Sequence, residues 1–161
     1  MSGLLFDLAK GIANVATPNL FDFSKKGPVD LAYGEQEKSY PKGIGWMDQA
    51  DALRHLVWMG EMQRRMGSLP AEGMGMFHEV VSGGENAIDS PMDAHNNKVA
   101  LEYMKKAKTQ EDVVRMAHDL VSKAKEVNTP QEFEDVSKLG VPFYVGDFGR
   151  NNPDIFKDTT R

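Results

Sequence analysis

Three stretches in the second half of the chain open with the same chemical grammar, and that grammar restricts the fold more than any other feature. Ser90-Pro91-Met92-Asp93, Thr109-Gln110-Glu111-Asp112 and Thr129-Pro130-Gln131-Glu132 each set a hydroxyl where it can cap free helical N–H groups, with an acid three residues on. Two of them add proline at the first helical position, where its missing N–H costs nothing. They predict one helix running from Ser90 to about Ala107, a second carrying Val113, Ala117, Leu120, Val121 and Ala124 in register, and a short third. Upstream, Met47 to Met66 has helical periodicity with Gly60 as its one interior breaker, Asp48 near its start and Gly67 placed to end it. A shorter helix is expected from Pro70 to Gly83-Gly84, its early Gly73 and Gly75 allowing another helix to come close. Val141-Pro142-Phe143-Tyr144-Val145 is strand-like but reads as too short and solitary to build a sheet. The expected fold is mainly α: a compact bundle of about five helices with an N-terminal amphipathic helix and an irregular C-terminal tail.

At the N-terminus, Leu5, Leu8, Ile12 and Ala16 recur at spacings of three and four, so residues 3–16 form an amphipathic helix ended by Thr17-Pro18. With one Lys and one Asp it lacks the basic face of a membrane-surface helix, which favours packing on its own domain or docking to a protein partner. Residues 17–45, broken by prolines and glycines, read as a connecting segment pinned by Phe21 and Phe23. This gives a single domain: 1–45 as helix and connector, 46–145 as helical core, and 146–161 as a polar tail expected to be irregular or frayed.

Composition excludes some functions. The net charge of −5 gives no global field to attract a phosphate backbone, so nucleic acid is a disfavoured partner. Without cysteine there is no disulfide, thiol nucleophile or thiolate-bound zinc. No apolar run reaches the roughly 20 residues of a membrane span and no secretory signal opens the chain, so a soluble product is expected. Ten methionines, concentrated between Met47 and Met116, read first as adaptable core filler. Phosphate-loop and Gly-x-Ser-x-Gly motifs do not occur.

The chemistry is carried by histidines beside carboxylates: Asp51-Ala52-Leu53-Arg54-His55, His78-Glu79 and Asp93-Ala94-His95-Asn96-Asn97. A neighbouring carboxylate fixes an imidazole's tautomer or raises its basicity, which suits proton transfer or metal ligation. On a helix Asp51 and His55 share a face with Trp58 next along it, while Arg54 points about 100° away. Taken alone, the Asp51–His55 pair could equally be an exposed ion pair contributing a few tenths of a kcal/mol. His78-Glu79 is not the zinc-protease motif, since position 82 is serine. Asp93 has a ready structural task in completing the Ser90 cap, but that does not explain His95, Asn96 and Asn97, mediocre helix formers better suited to a cleft or buried partners. His118-Asp119 reads as surface.

Together these motifs resemble a little-characterised helical domain family of bacteria and their phages, with an Asp-Ala-x-Arg-His-x-x-Trp helix, a His-Glu helix and a Met-Asp-x-His-Asn-Asn helix. That family occurs as phage proteins or as C-terminal modules of large secreted bacterial proteins, some toxin-like. The resemblance covers about residues 48–100 and departs at Ala100, where glycine is expected at a tight helix contact. It implies a shared pocket faced by Arg54, His55, Glu79, Asp93, His95 and Asn96. The leading expectation is a phage-type hydrolase of bacterial cell-envelope material, peptidoglycan first and lipid second. His55, Glu79, His95 and Asp93 would act as catalytic groups, and Arg54, Asp51, Trp58, His78, Asn96 and Asn97 as binding groups. A divalent metal such as zinc is compatible by ligand type, with no ligand set assigned. The alternative is a non-enzymatic virion or interaction protein, bound to other phage proteins, in which the polar cluster is a structural hydrogen-bond network. If phage-encoded, the protein is expected in the host cytoplasm or the virion.

Overall fold

The computed structural model describes residues 27–43, 45–68, 70–73 and 89–160. In chain order it contains helices α1 (Pro28–Ser39), α2 (Gln49–Met66) and α3 (Asp89–Tyr103), a 3-10 turn (Met104–Lys106), then α4 (Gln110–Ser122). There follow β1 (Lys125–Val127), α5 (Pro130–Ser137), β2 (Phe143–Val145), the short α6 (Asp147–Asn151) and a 3-10 segment (Pro153–Thr160). The chain is mainly α, as its helix-start signals predict. The N-terminal helix expected over 3–16, Phe21, Phe23, and most of the helix expected from Pro70 to Gly83 lie outside the described residues, although residues 70–73 are helical.

Local chemistry explains the best-defined ends. Thr109 and Thr129 each accept from the backbone N–H three residues on, and Asp112 and Glu132 reach back to the cap N–H, which completes both capping boxes. Asp48 caps α2, and Gly67 ends it with a positive φ of 84°.

α2 is the central element. Leu53, Leu56, Val57 and Met59, with less than 1% exposure each, pack with Leu31 and Ala32 of α1, Ala100 of α3, and Val113, Ala117 and Leu120 of α4. Gly60 lets Met104 and Val113 lie against the α2 backbone, where any Cβ would collide with them. Among the described residues nothing lies within 4 Å of a Cβ placed on Gly73, and Gly75 lies outside them. Ala100 is fully buried, so its contact accommodates a methyl group where the resemblance led us to expect glycine. Buried Met47, Met59, Met62, Met92 and Met104 fill both cores, as the filler interpretation expects.

Three local expectations are corrected. Residues 28–39 of the supposed connector form α1, because Pro28 sits where a helix tolerates it and Leu31 and Ala32 find the face of α2. The strand is not solitary: β2 pairs in parallel with β1, Phe143 opposite Lys125 and Val145 opposite Val127. The tail is not frayed throughout, because it forms α6 and buries Phe156 completely in a second core with Met47, Met92, Val127, Val136, Phe143 and Val145. Burying one such phenylalanine contributes about 1.5–3 kcal/mol toward holding this segment against the domain. Among the described residues no helix is long and apolar enough to cross a membrane.

Candidate active site at the start of α2

α2 begins at a strained corner. Gly45 (φ 69°) and Met47 (φ 54°) both adopt left-handed backbone. For methionine this conformation costs on the order of 1–3 kcal/mol and persists only where the surroundings impose it. Here they do: the Met47 side chain is fully buried, its carbonyl accepts from Val145 N–H at 2.7 Å, and its own N–H donates to Asp51 Oδ2 at 2.6 Å. Asp48 closes the corner by accepting from Gly45 N–H at 3.1 Å and from Asp51 N–H at 2.9 Å. One carboxylate oxygen of Asp51 is thus fixed by backbone, and the other, Oδ1, faces along the helix toward His55.

His55 lies one turn on, and its Nε2 is 3.4 Å from Asp51 Oδ1 and 3.2 Å from Asp93 Oδ1 of α3. Arg54 starts about 100° round the helix from His55 and ends at the edge of the cluster. Its long side chain curls back to pair with Asp51 Oδ1, and Nη2 comes to 3.3 Å from His55 Nε2. Nη1 donates to the Gly45 carbonyl at 2.9 Å, and the guanidinium lies 5.4 Å from the centre of the Tyr33 ring of α1. Trp58 presents its ring edge-on to His55, centres 6.3 Å apart. The Asp51–His55 pair is therefore not an exposed surface pair: His55 is 4% exposed, and contact with solvent runs through Asp93 (13%) and Arg54 (21%). Burial pushes the His55 imidazole down, but its hydrogen bond to Asp51 and the charges of Asp93 and Asp51 outweigh it and leave it above the usual histidine range.

The remaining motif residues divide. His95 does not join His55; its Nε2 donates to the Val141 carbonyl at 2.8 Å and its ring packs 5.3 Å from that of Phe143. Two residues along a helix turn the side chain by roughly 200°, so Asp93 and His95 cannot face one centre. Burial pulls His95 below the usual range, against the opposing effect of its bond to Val141. Asn96 does not face the cluster either: its Oδ1 accepts from Phe143 N–H at 3.0 Å and its Nδ2 donates to the Phe143 carbonyl at 2.9 Å, as a neighbouring strand would. Asn97 is 5% exposed, and neither atom of its amide has a hydrogen-bond partner. His78 and Glu79 lie outside the described residues. His118 lies 3.4 Å from Glu35, and Asp119 pairs with Lys123 and accepts from Tyr103, so that doublet stays apart from the cluster and at least part-exposed.

The residues missed from the sequence are those that aim the cluster. Met47, Gly45 and Tyr33 hold Asp51 and Arg54, and β2 braces both helices, through Met47 at the start of α2 and Asn96 on α3. The Asp48 cap was a usable signal for the corner, but the left-handed methionine leaves no mark in composition. Asp51, His55 and Asp93 offer three ligand atoms all within 4.8 Å of one another. A groove of about 370 Å³ lies nearby, lined by Tyr40, Asp48, Gln49, Glu126, Tyr144 and Arg150 among others, but by none of those three ligands.

No curated protein and no solved structure matches this chain. One family description does, over residues 29–128, a span that takes in α1 to β1 and therefore the whole cluster. The chain belongs to that family, described as a domain of unknown function, DUF6973.

Proposed function

We propose that this protein is a hydrolase whose reacting centre is His55, held between Asp51 and Asp93 with Arg54 at the rim, and that its substrate is bacterial cell-envelope material, peptidoglycan first and lipid second. The observation that carries this is the convergence of two carboxylates from different helices on one imidazole nitrogen, with a part-exposed guanidinium beside it. Such a cluster can take a proton from water as the oxygen adds to an electrophilic carbon, then return it to the leaving group. Arg54 is placed to stabilise the negative charge that develops. The substrate class rests on the resemblance to phage and toxin-associated modules. Glu79 keeps the role that resemblance implies.

A second reading is favoured by burial. Asp51 and His55 are almost sealed, and the adjacent Asn96 is purely a clamp, as expected of a network that fixes helix packing in a virion or interaction protein. Incubating the protein with purified bacterial cell walls separates the two. Release of soluble fragments by wild type, lost in a folded His55→Gln variant, supports the hydrolase. No release by wild type under any tested condition sinks it for this substrate class.

A further inference from the structure

We propose that Asp51 Oδ1, His55 Nε2 and Asp93 are the protein ligands of a divalent transition-metal ion, zinc or manganese in class, seated between α2 and α3. The hydrolase reading supplies its use, with the ion in place of the imidazole as the group that would activate water, since a ligating Nε2 no longer accepts a proton; the site itself stands on geometry. His55 Nε2 has one lone pair or one proton to offer, yet two carboxylate oxygens stand 3.4 and 3.2 Å from it, and one N–H can be directed at only one of them. Those separations suit an ion: ligand atoms about 2.0–2.1 Å from a tetrahedral centre lie roughly 3.3–3.4 Å apart. The supports around the ligands are those a metal site needs. Met47 N–H holds Asp51 Oδ2, so Oδ1 is the oxygen turned to the centre, and Asn96 pins α3 to β2 three residues from Asp93.

Asn97 is a second, independent observation. It lies one turn beyond Asp93 on the same helical face, is 95% buried, and has neither amide atom bonded. A buried amide in that state costs about 1–3 kcal/mol. Water carried by an ion beside Asp93 gives it a partner. Arg54 is no obstacle, because its other nitrogen is anchored on the Gly45 carbonyl, so the guanidinium can release Asp51 and stay at the rim.

The test is calorimetric titration of the full chain, stripped with a chelator, with Zn²⁺ and Mn²⁺, together with melting curves. We expect about one ion per chain and a raised melting temperature. Asp93→Asn and His55→Gln should each weaken binding at least about tenfold, and His118→Gln, which alters the half-exposed histidine beside Glu35, should leave it unchanged. A variant that fails to fold does not protect the proposal, since Mn²⁺ added to wild type must broaden the His55 ring resonances before those of His118. Absence of binding at millimolar metal, or broadening of His118 first, overturns the site. Metal binding without cell-wall release leaves the site standing and removes the hydrolase; chelator-resistant release without metal does the reverse.

Discussion

The two ends of α2 each bury a charged cluster, and they are built to opposite specifications. Near the C-terminal end, Glu61 is fully buried and takes two bonds from Arg64 (2.6 and 2.7 Å), one from Arg65 (2.6 Å) and one from Gln110 of α4 (2.9 Å). A carboxylate has about four acceptor positions, and this one takes four bonds, three at Oε1 and one at Oε2. Near the N-terminal end, two carboxylates meet one guanidinium and an imidazole, and a buried amide one turn away has nothing to bond. A saturated network does one thing, which is to hold α2 against α4. A centre where two carboxylates from different helices converge on one imidazole has a ligand geometry that the Glu61 network lacks, and this contrast distinguishes a brace from a site where burial alone does not.

The largest effect should come from breaking the brace. Glu61→Ala strands Arg64 and Arg65 and should cost about 3–5 kcal/mol of unfolding free energy in urea titration. A loss below 1 kcal/mol would show that the network is dispensable and the contrast empty. Next comes Asn96→Ala, which leaves the Phe143 N–H and carbonyl without their side-chain partner and should cost about 1–3 kcal/mol. Because β2 also braces Met47, this variant should lower metal affinity without removing a ligand.

Acid should separate the two clusters by a smaller amount. Burial raises the Glu61 carboxyl, but the bonds from Arg64, Gln110 and Arg65 outweigh it and hold it below the usual glutamate range, with Glu111 also acting on Arg64. A depressed folded-state pKa means that its stabilisation is complete above the unfolded value of about 4.5 and is lost as pH falls through the folded one. The urea midpoint of wild type should therefore fall below about pH 4.5, and Glu61→Gln should flatten that part of the profile. An unchanged slope in the variant would assign the acid sensitivity elsewhere.

How much of this was legible in the sequence follows the range of the interactions. Capping is local, so Thr109, Thr129 and Asp48 announced their helices, and the spacing of four between Asp51 and His55 announced their shared face. Adjacency in sequence misled where direction matters: Asp93, His95 and Asn96 form one motif, but helical geometry turns His95 away from Asp93, and Asn96, though only about 60° from Asp93, is taken up by the backbone of Phe143. Pairing of β1 was hidden because Lys125 and Glu126 are exposed and carry no apolar alternation. The strain at Met47 was hidden because it is fixed by tertiary bonds to Val145 and Asp51. The Glu61 brace passed unnoticed because its ion pairs at spacings of three and four look like ordinary surface pairs until Gly60 and Met104 bring α4 close.

The smallest expected effect has the sharpest sign. Asn96 and Asn97 are neighbours on α3, both buried, yet one saturates its amide on Phe143 and the other bonds nothing. Replacing an unpartnered amide by an apolar group of similar size removes a desolvation cost, so Asn97→Leu should raise the unfolding free energy of the metal-free protein by about 1 kcal/mol, opposite in sign to Asn96→Ala. The same substitution should shrink the melting shift produced by Zn²⁺, because it takes away a group that bonds the ion's water. If Asn97→Leu instead destabilises as much as Asn96→Ala, the amide is partnered, and the case for an ion-binding centre beside it at this end of α2 loses its second observation.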